Sequence, residues 1–179
     1  MTTLVLTVIG DDRAGLVKAL ADVVSAHDGN WERSHLAELA GKFAGIVEVS
    51  VPPARAAELQ EALRRLSGLL DVEVQTGTAG PTGTDEARSA GREVLVEVLG
   101  NDHPGIVHAV SAALAEHGLS VTELETSTRE APMVGGRLFE ARALVAVPDG
   151  FDLAELRATL EQIASEVLVD LTLSAHAPS

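Results

Sequence analysis

Cysteine and tyrosine are absent from this 179-residue chain, and aromatic residues amount to 2%. Without cysteine there is no disulfide, no iron–sulfur cluster, no thiolate zinc site and no cysteine nucleophile. Trp31, Phe43, Phe139 and Phe151 are the whole aromatic set, too few for a base-stacking platform. Positive charge is scarce as well: 13 Lys and Arg stand against 27 Asp and Glu, a formal net charge of −14. Such a surface repels phosphate backbones and anionic lipid, which weighs against direct binding to nucleic acid or membrane. No apolar run reaches the roughly 18 residues of a membrane span, and the N-terminus lacks the basic stretch of a secretory signal. The expected location is the cytoplasm. What remains, 46% hydrophobic and 22% charged residues, is an ordinary globular balance.

The chain repeats itself. The stretch at 4–17 matches that at 94–107, with Gly10/Gly100, Asp12/Asp102, Gly15/Gly105 and Val17/Val107 at a constant offset of 90. Val49 and Pro52 then match Val145 and Pro148 at an offset of 96, so the second copy holds about six extra residues near 130–136. Slowly drifting offsets of this kind mark a duplication. Between the copies, 78–91 is rich in Gly, Thr and Ala and has no apolar period, which is linker composition. The expected organisation is a domain at 1–77, a linker at 78–91 and a second domain at 92–177.

Each copy has the same order of elements. Short apolar runs at 5–9 and 94–99 end at a Gly and predict buried strands. Leu16, Val17, Leu20, Val23 and Val24 fall at helical spacing, as do Ile106, Val107, Val110 and Leu114. Asp12 and Asp102 are placed to cap these helices, and Pro104 suits a helix start. Extended segments at 31–39 with 43–51, and 121–128 with 138–147, turn at Gly41 and at Gly135-Gly136. Leu59, Ala62, Leu63 and Leu66, like Leu153, Leu156, Leu160 and Ile163, predict a second amphipathic helix. Final strands are expected at 72–74 and 167–173. The fold class is therefore α+β: two ferredoxin-like βαββαβ domains, each a four-stranded antiparallel sheet with two helices on one face. The other face must be solvated or pack on another copy.

The turn after the first strand is the most informative segment in each copy. In it, glycines allow a close backbone approach, and the following helix begins with amides that lack acceptors and attract a carboxylate. Asp11, Asp12, Asn101 and Asp102 can accept hydrogen bonds from an ammonium group. Together these features suit a zwitterion, a free amino acid. The alternative is that Gly and Asp serve only the turn and the cap.

The pattern Gly-x-Asp-Arg/His-x-Gly-Ile/Leu-Val on a βαββαβ unit resembles the ACT domain. The tandem pair, with the segment 34–43 in the first hairpin, resembles the glycine cleavage system transcriptional repressor family. That resemblance implies a non-enzymatic sensor of a free amino acid, glycine among the candidates, acting through protein–protein contact, with effects on transcription of amino-acid metabolism genes. It implies ligand positions at Asn101, Asp102, His103, Pro104, Gly105 and Ile106, and at Asp11, Asp12, Arg13, Ala14, Gly15 and Leu16. Ser34, His35 and Leu36, or Thr122, Glu123 and Leu124, would approach from a neighbour's strand. The usual Arg-Pro-Gly is altered in both copies, by Ala14 in one and His103 in the other. A protein partner is also implied. Separately from the resemblance, the two domains can pair within one chain or two chains can join sheet edges; a homodimer is expected, with no cofactor. The competing function is a ligand-independent interaction or oligomerisation module acting on an enzyme or regulator in trans.

Other chemistries find little footing. His103 and His108 are five apart, off the i, i+4 spacing of a helical metal pair, and His27 and His117 read as solvated or capping residues. Ser34 and His35 are adjacent, so on a strand they face opposite sides, and there is no G-x-S-x-G elbow. Gly10 and Gly15 lack the Lys-Ser/Thr of a phosphate-binding loop. Glu123, Glu125, Arg129 and Glu130 read as a solvated strand edge or a partner-binding ridge. The insertion at 130–136 reads as a surface insertion or a lid.

Overall fold

Strand β1 (Thr2–Asp11) sets the pattern for the first unit. Its alternate residues Leu4, Leu6 and Val8 are buried, because successive side chains of a strand point to opposite faces. Strand β3 (Lys42–Val51) pairs antiparallel with it, Leu4 opposite Val49 and Leu6 opposite Val47, which puts Val47, Val49 and Val51 on the same face. Helix α1 (Leu16–Ala26) lays Leu16, Leu20 and Val24 on that face. A 3-10 turn at Pro53–Arg55 leads into helix α2 (Ala56–Arg64), which adds Leu59 and Leu63. Strands β2 (Asn30–Leu39) and β4 (Asp71–Thr76) complete a sheet of order β2-β3-β1-β4. Ala40 (φ 53°) and Gly41 (φ 78°) close the β2–β3 hairpin. Two positive φ values are what a two-residue type I′ turn requires.

The second unit repeats this plan. Strand β5 (Gly91–Asn101), helix α3 (Ile106–Glu116), strands β6 (Ser120–Glu130) and β7 (Arg137–Pro148), helix α4 (Leu153–Glu166) and strand β8 (Val169–Ala175) form a sheet of order β6-β7-β5-β8. Val94, Val96, Val98, Val145, Val147, Ile106, Leu114, Leu156 and Leu160 make its core. The structure, a computed structural model, describes residues 1–77, 91–130 and 136–175. Its two compact units are Met1–Gly80 and Pro81–Ser179. The proposed linker lies outside the described residues except for Gly91, which belongs to β5. The insertion falls where expected. Leu39 and Lys42 flank two residues, whereas their counterparts Arg129 and Leu138 flank eight; of these, 131–135 lie outside the described residues.

Three expectations need correction. Asp12 and Asp102 do not cap the helices; Gly15 and Gly105 occupy the N-cap positions, and no side chain caps either helix. Pro104 accordingly lies before the cap, outside the first helical turn. The last strand of the second unit begins at Val169, because Val167 caps α4 and Leu168 turns the chain at φ 53°. The sequence also gave no sign of the register shifts between Trp31 and Arg33 and between Val121 and Glu123, bulges at the same place in both units.

Candidate functional site

The turn between β1 and α1 is held at both ends. Gly10 lies so close to the chain before β4 that an added Cβ would stand 2.7 Å from the Leu69 carbonyl. Gly15 takes φ 94°, and its carbonyl accepts the first helical bond from Ala19 N–H at 2.9 Å. Asp12 N–H donates to the Gly41 carbonyl at 2.9 Å, extending the β1–β3 ladder one step into the turn. The second unit has the same bonds: Gly105 at φ 102°, Ala109 N–H to Gly105 at 2.9 Å and Asp102 N–H to Arg137 at 2.7 Å. Both helices thus begin with uncapped amides, which carry the positive end of the helix dipole.

A carboxylate and a cation flank each turn. Lys42 Nζ bonds Asp11, and this cation holds the Asp11 carboxyl below its ordinary value. Arg137 Nε lies 3.9 Å from Asp102 Oδ2. Of the acceptors proposed for a ligand ammonium, Asp11 and Asp102 are therefore already paired, while Asp12 and Asn101 are exposed.

Arg13 and His103 occupy equivalent places and do equivalent work. Arg13 Nη2 donates to the Gly68 carbonyl at 2.9 Å and reaches the Leu69 carbonyl at 3.4 Å. His103 Nε2 lies 2.6 Å from the Val167 carbonyl, and Nδ1 lies 3.0 Å from the Pro104 carbonyl. Carbonyls only accept, so both bonds form together only when the ring carries both protons. The Val167 bond, followed by the Pro104 bond, raises the His103 pKa above 6.5, with Asp102 adding a smaller push and partial desolvation opposing it. Each cation therefore straps its turn to the chain entering the last strand. The resemblance marked both residues as ligand positions; the structure engages them with backbone carbonyls. Their shared offset of 90 was the available signal.

Helix α3 and strands β5, β6 and β7 line a small, open apolar recess of about 40 Å³. Ile106, Val107, Val110, Val121, Leu124 and Phe139 are among its walls. Val107, Val121 and Leu124 are 43%, 40% and 50% exposed. Sequence reasoning missed this feature. Of the site residues it singled out, Ile106 and Leu124 are in the wall, and Gly105 precedes Ile106 as the N-cap of α3. The neighbour-strand candidates Ser34, His35, Leu36, Thr122, Glu123 and Leu124 lie on β2 and β6, the outer strands of their sheets. Ser34 and His35 oppose Val47 and Ile46 and so face opposite sides. Glu123, Glu125, Arg129 and Glu130 lie on exposed β6, where Arg129 pairs with Glu140 at 2.6 Å. His27 and His117 stand at the C-caps of α1 and α3. No helix among the described residues is long and apolar enough to cross a membrane.

Two βαββαβ units, each with a glycine-turned, uncapped helix start, define a tandem α+β domain protein. The ACT domain family matches residues 2–77 and again residues 94–165, and the chain belongs to that family. The structure of an unknown protein from Galdieria sulphuraria is 31% identical, with a TM-score of 0.85 over 98% of this chain and 99% of that one. A candidate glycine cleavage system transcriptional repressor is 18% identical, with a TM-score of 0.72 over 99% of this chain and 98% of that one; at that identity the likeness is one of fold. Among curated proteins, none matches the chain.

Proposed function

We propose that this protein is a non-enzymatic regulator that binds a free amino acid at the turn between the first strand and first helix of its ACT domains. It signals through protein–protein contact, on transcription or on an enzyme in trans. The observation that carries this reading is the repeated helix start at Gly15 and Gly105, uncapped in both units. A ligand carboxylate there takes up amides that the chain leaves to solvent. Exposed Asp12 and Asn101 stand beside these starts for the ammonium. Glycine suits the first unit, where Trp31 packs against the core. The protein acts as a homodimer, with the outer strands β2 and β6 as candidate edges for the second copy.

A thermal-shift screen of the full chain against the twenty amino acids tests this reading. A ligand at 100 times its Kd stabilises the native state by about 2.7 kcal/mol, several degrees for a chain of this size. A selective shift that Asn101→Ala or Asp12→Ala weakens without changing the oligomer supports the sensor. Absence of any shift overturns it in favour of an interaction module. That second reading draws on the open sheet face of the first unit, where Ile9 and Ile46 are each 50% exposed.

A further inference from the structure

The two units share their cores but differ under the first helix. Where α1 carries Leu20, α3 carries Val110; where β2 carries Trp31, β6 carries Val121. The pairing register confirms the second equivalence: Trp31 opposes Val49, and Val121 opposes Val145. Trp31 packs against the core of its unit. Val121 is too short to do the same, and both Val110 and Val121 line the recess. Val96 and Ala143, also in its wall, are likewise shorter than Leu6 and Val47, whereas Leu124 replaces Ser34; the exchange of Trp31 for Val121 is the largest, and the apolar rim at Val107, Val121 and Leu124 stays in water.

Its position relative to the helix start matters. Ile106 and Val107 are the first two residues of α3 and also walls of the recess. A small molecule whose carboxylate meets the α3 amides can therefore run its tail along the helix toward Val110. The recess has a single hydroxyl in its wall, that of Ser111, which donates to the His108 carbonyl at 3.1 Å. A polar tail would lose its hydration there without replacement; an aliphatic tail would bury Val107, Val121 and Leu124.

From this we infer that the second unit selects an amino acid with a branched aliphatic side chain, of the size of valine, leucine or isoleucine, and that the recess between α3 and β6 receives that side chain. This rests on the sensor reading above and adds the ligand class. Each buried methylene contributes about fourfold in affinity, or about 0.8 kcal/mol. Leucine should therefore bind at least about tenfold more tightly than glycine or serine.

The test is calorimetric titration of the full chain with glycine, serine, valine and leucine, accompanied by methyl NMR of the leucine titration. The expected result is the tenfold preference, with shifts at the methyls of Val107, Val121 and Leu124. Val121→Trp, which copies the residue of the first unit, should lower leucine affinity about tenfold; Val110→Leu, a milder filling, should lower it by a smaller factor. Circular dichroism checks that both variants fold. Glycine binding with no aliphatic preference, or leucine binding that leaves those methyls unmoved, overturns the inference while sparing the sensor. No binding by any amino acid overturns both.

Discussion

Replacing Gly105 by alanine isolates the backbone contribution of the helix start. Gly105 holds φ 102°, and an added Cβ would meet nothing within 4 Å. The cost is therefore conformational rather than steric. That angle lies beyond the small left-handed well open to residues with a side chain, and left-handed backbone costs such residues about 1–2 kcal/mol. At about 4–8 °C per kcal/mol for a domain of this size, Gly105→Ala should lower the melting temperature of the second unit by about 4–16 °C. The assay is calorimetric melting of the full chain, with Gly15→Ala (φ 94°, also unobstructed) as the matching change in the first unit. If the alanine is accommodated by rotation to negative φ, the first amides of α3 swing away and the amino-acid response is lost even where the protein is folded. A melting temperature unchanged within about a degree, together with an intact ligand response, would refute the claim that this conformation is required.

Stability should fall with rising pH through His103. Its folded pKa is raised, so the stabilisation is complete below the ordinary value of 6.5 and is lost as pH climbs through the folded value. His103→Arg, which copies Arg13, should flatten that part of the pH–melting curve, and an unchanged curve would dismiss the strap. Gly45→Ala should cost about 1–3 kcal/mol or more by overpacking, because the new Cβ would fall 1.9 Å from the His35 carbonyl; urea unfolding against wild type measures it. Leu59→Ala and Leu156→Ala, both at fully buried positions, should each cost about 2–5 kcal/mol. Trp31 is the only tryptophan, so fluorescence-detected melting should follow Leu59→Ala and ignore Leu156→Ala; equal shifts would mean that the units unfold as one.

Periodicity and offset carried the fold a long way. Alternation in β1 and β5 and the 3.6-residue spacing of α1 and α3 each had one physical solution, and the repeat let one copy check the other. The helix starts were misread because aspartate is a common N-cap, and a sequence does not tell which polar residue or glycine takes that position. Here Asp12 and Asp102 spend their amides on the neighbouring hairpin carbonyls, and a glycine three residues on makes the turn. The roles of Arg13 and His103 depend on carbonyls 55 and 64 residues away, a pairing that only the folded chain creates. The recess was hidden for a related reason. Val121 reads as an ordinary strand residue until its register opposite Val145 shows that it stands where the other unit has Trp31.

The places where the two copies part company are informative because the scaffold changes so little. Leu4/Val94, Leu6/Val96, Val8/Val98, Val49/Val145, Val51/Val147, Leu59/Leu156 and Leu63/Leu160 are buried in both units. Against that constancy, Arg13/His103, Ala14/Pro104, Leu20/Val110, Trp31/Val121 and the lengthened β6–β7 hairpin belong to the turn, the recess and the elements that wall it. The exchange of Trp31 for Val121 is the largest of these, and packing alone gives no reason for it beside an uncapped helix start. The ligand selection proposed above gives one. In that account, the exchange of arginine for histidine makes the open unit the one whose turn loosens as the pH rises. Ligand affinity in the second unit should then decline as pH climbs through the raised pKa of His103, while that of the first, strapped by Arg13, should not follow that titration.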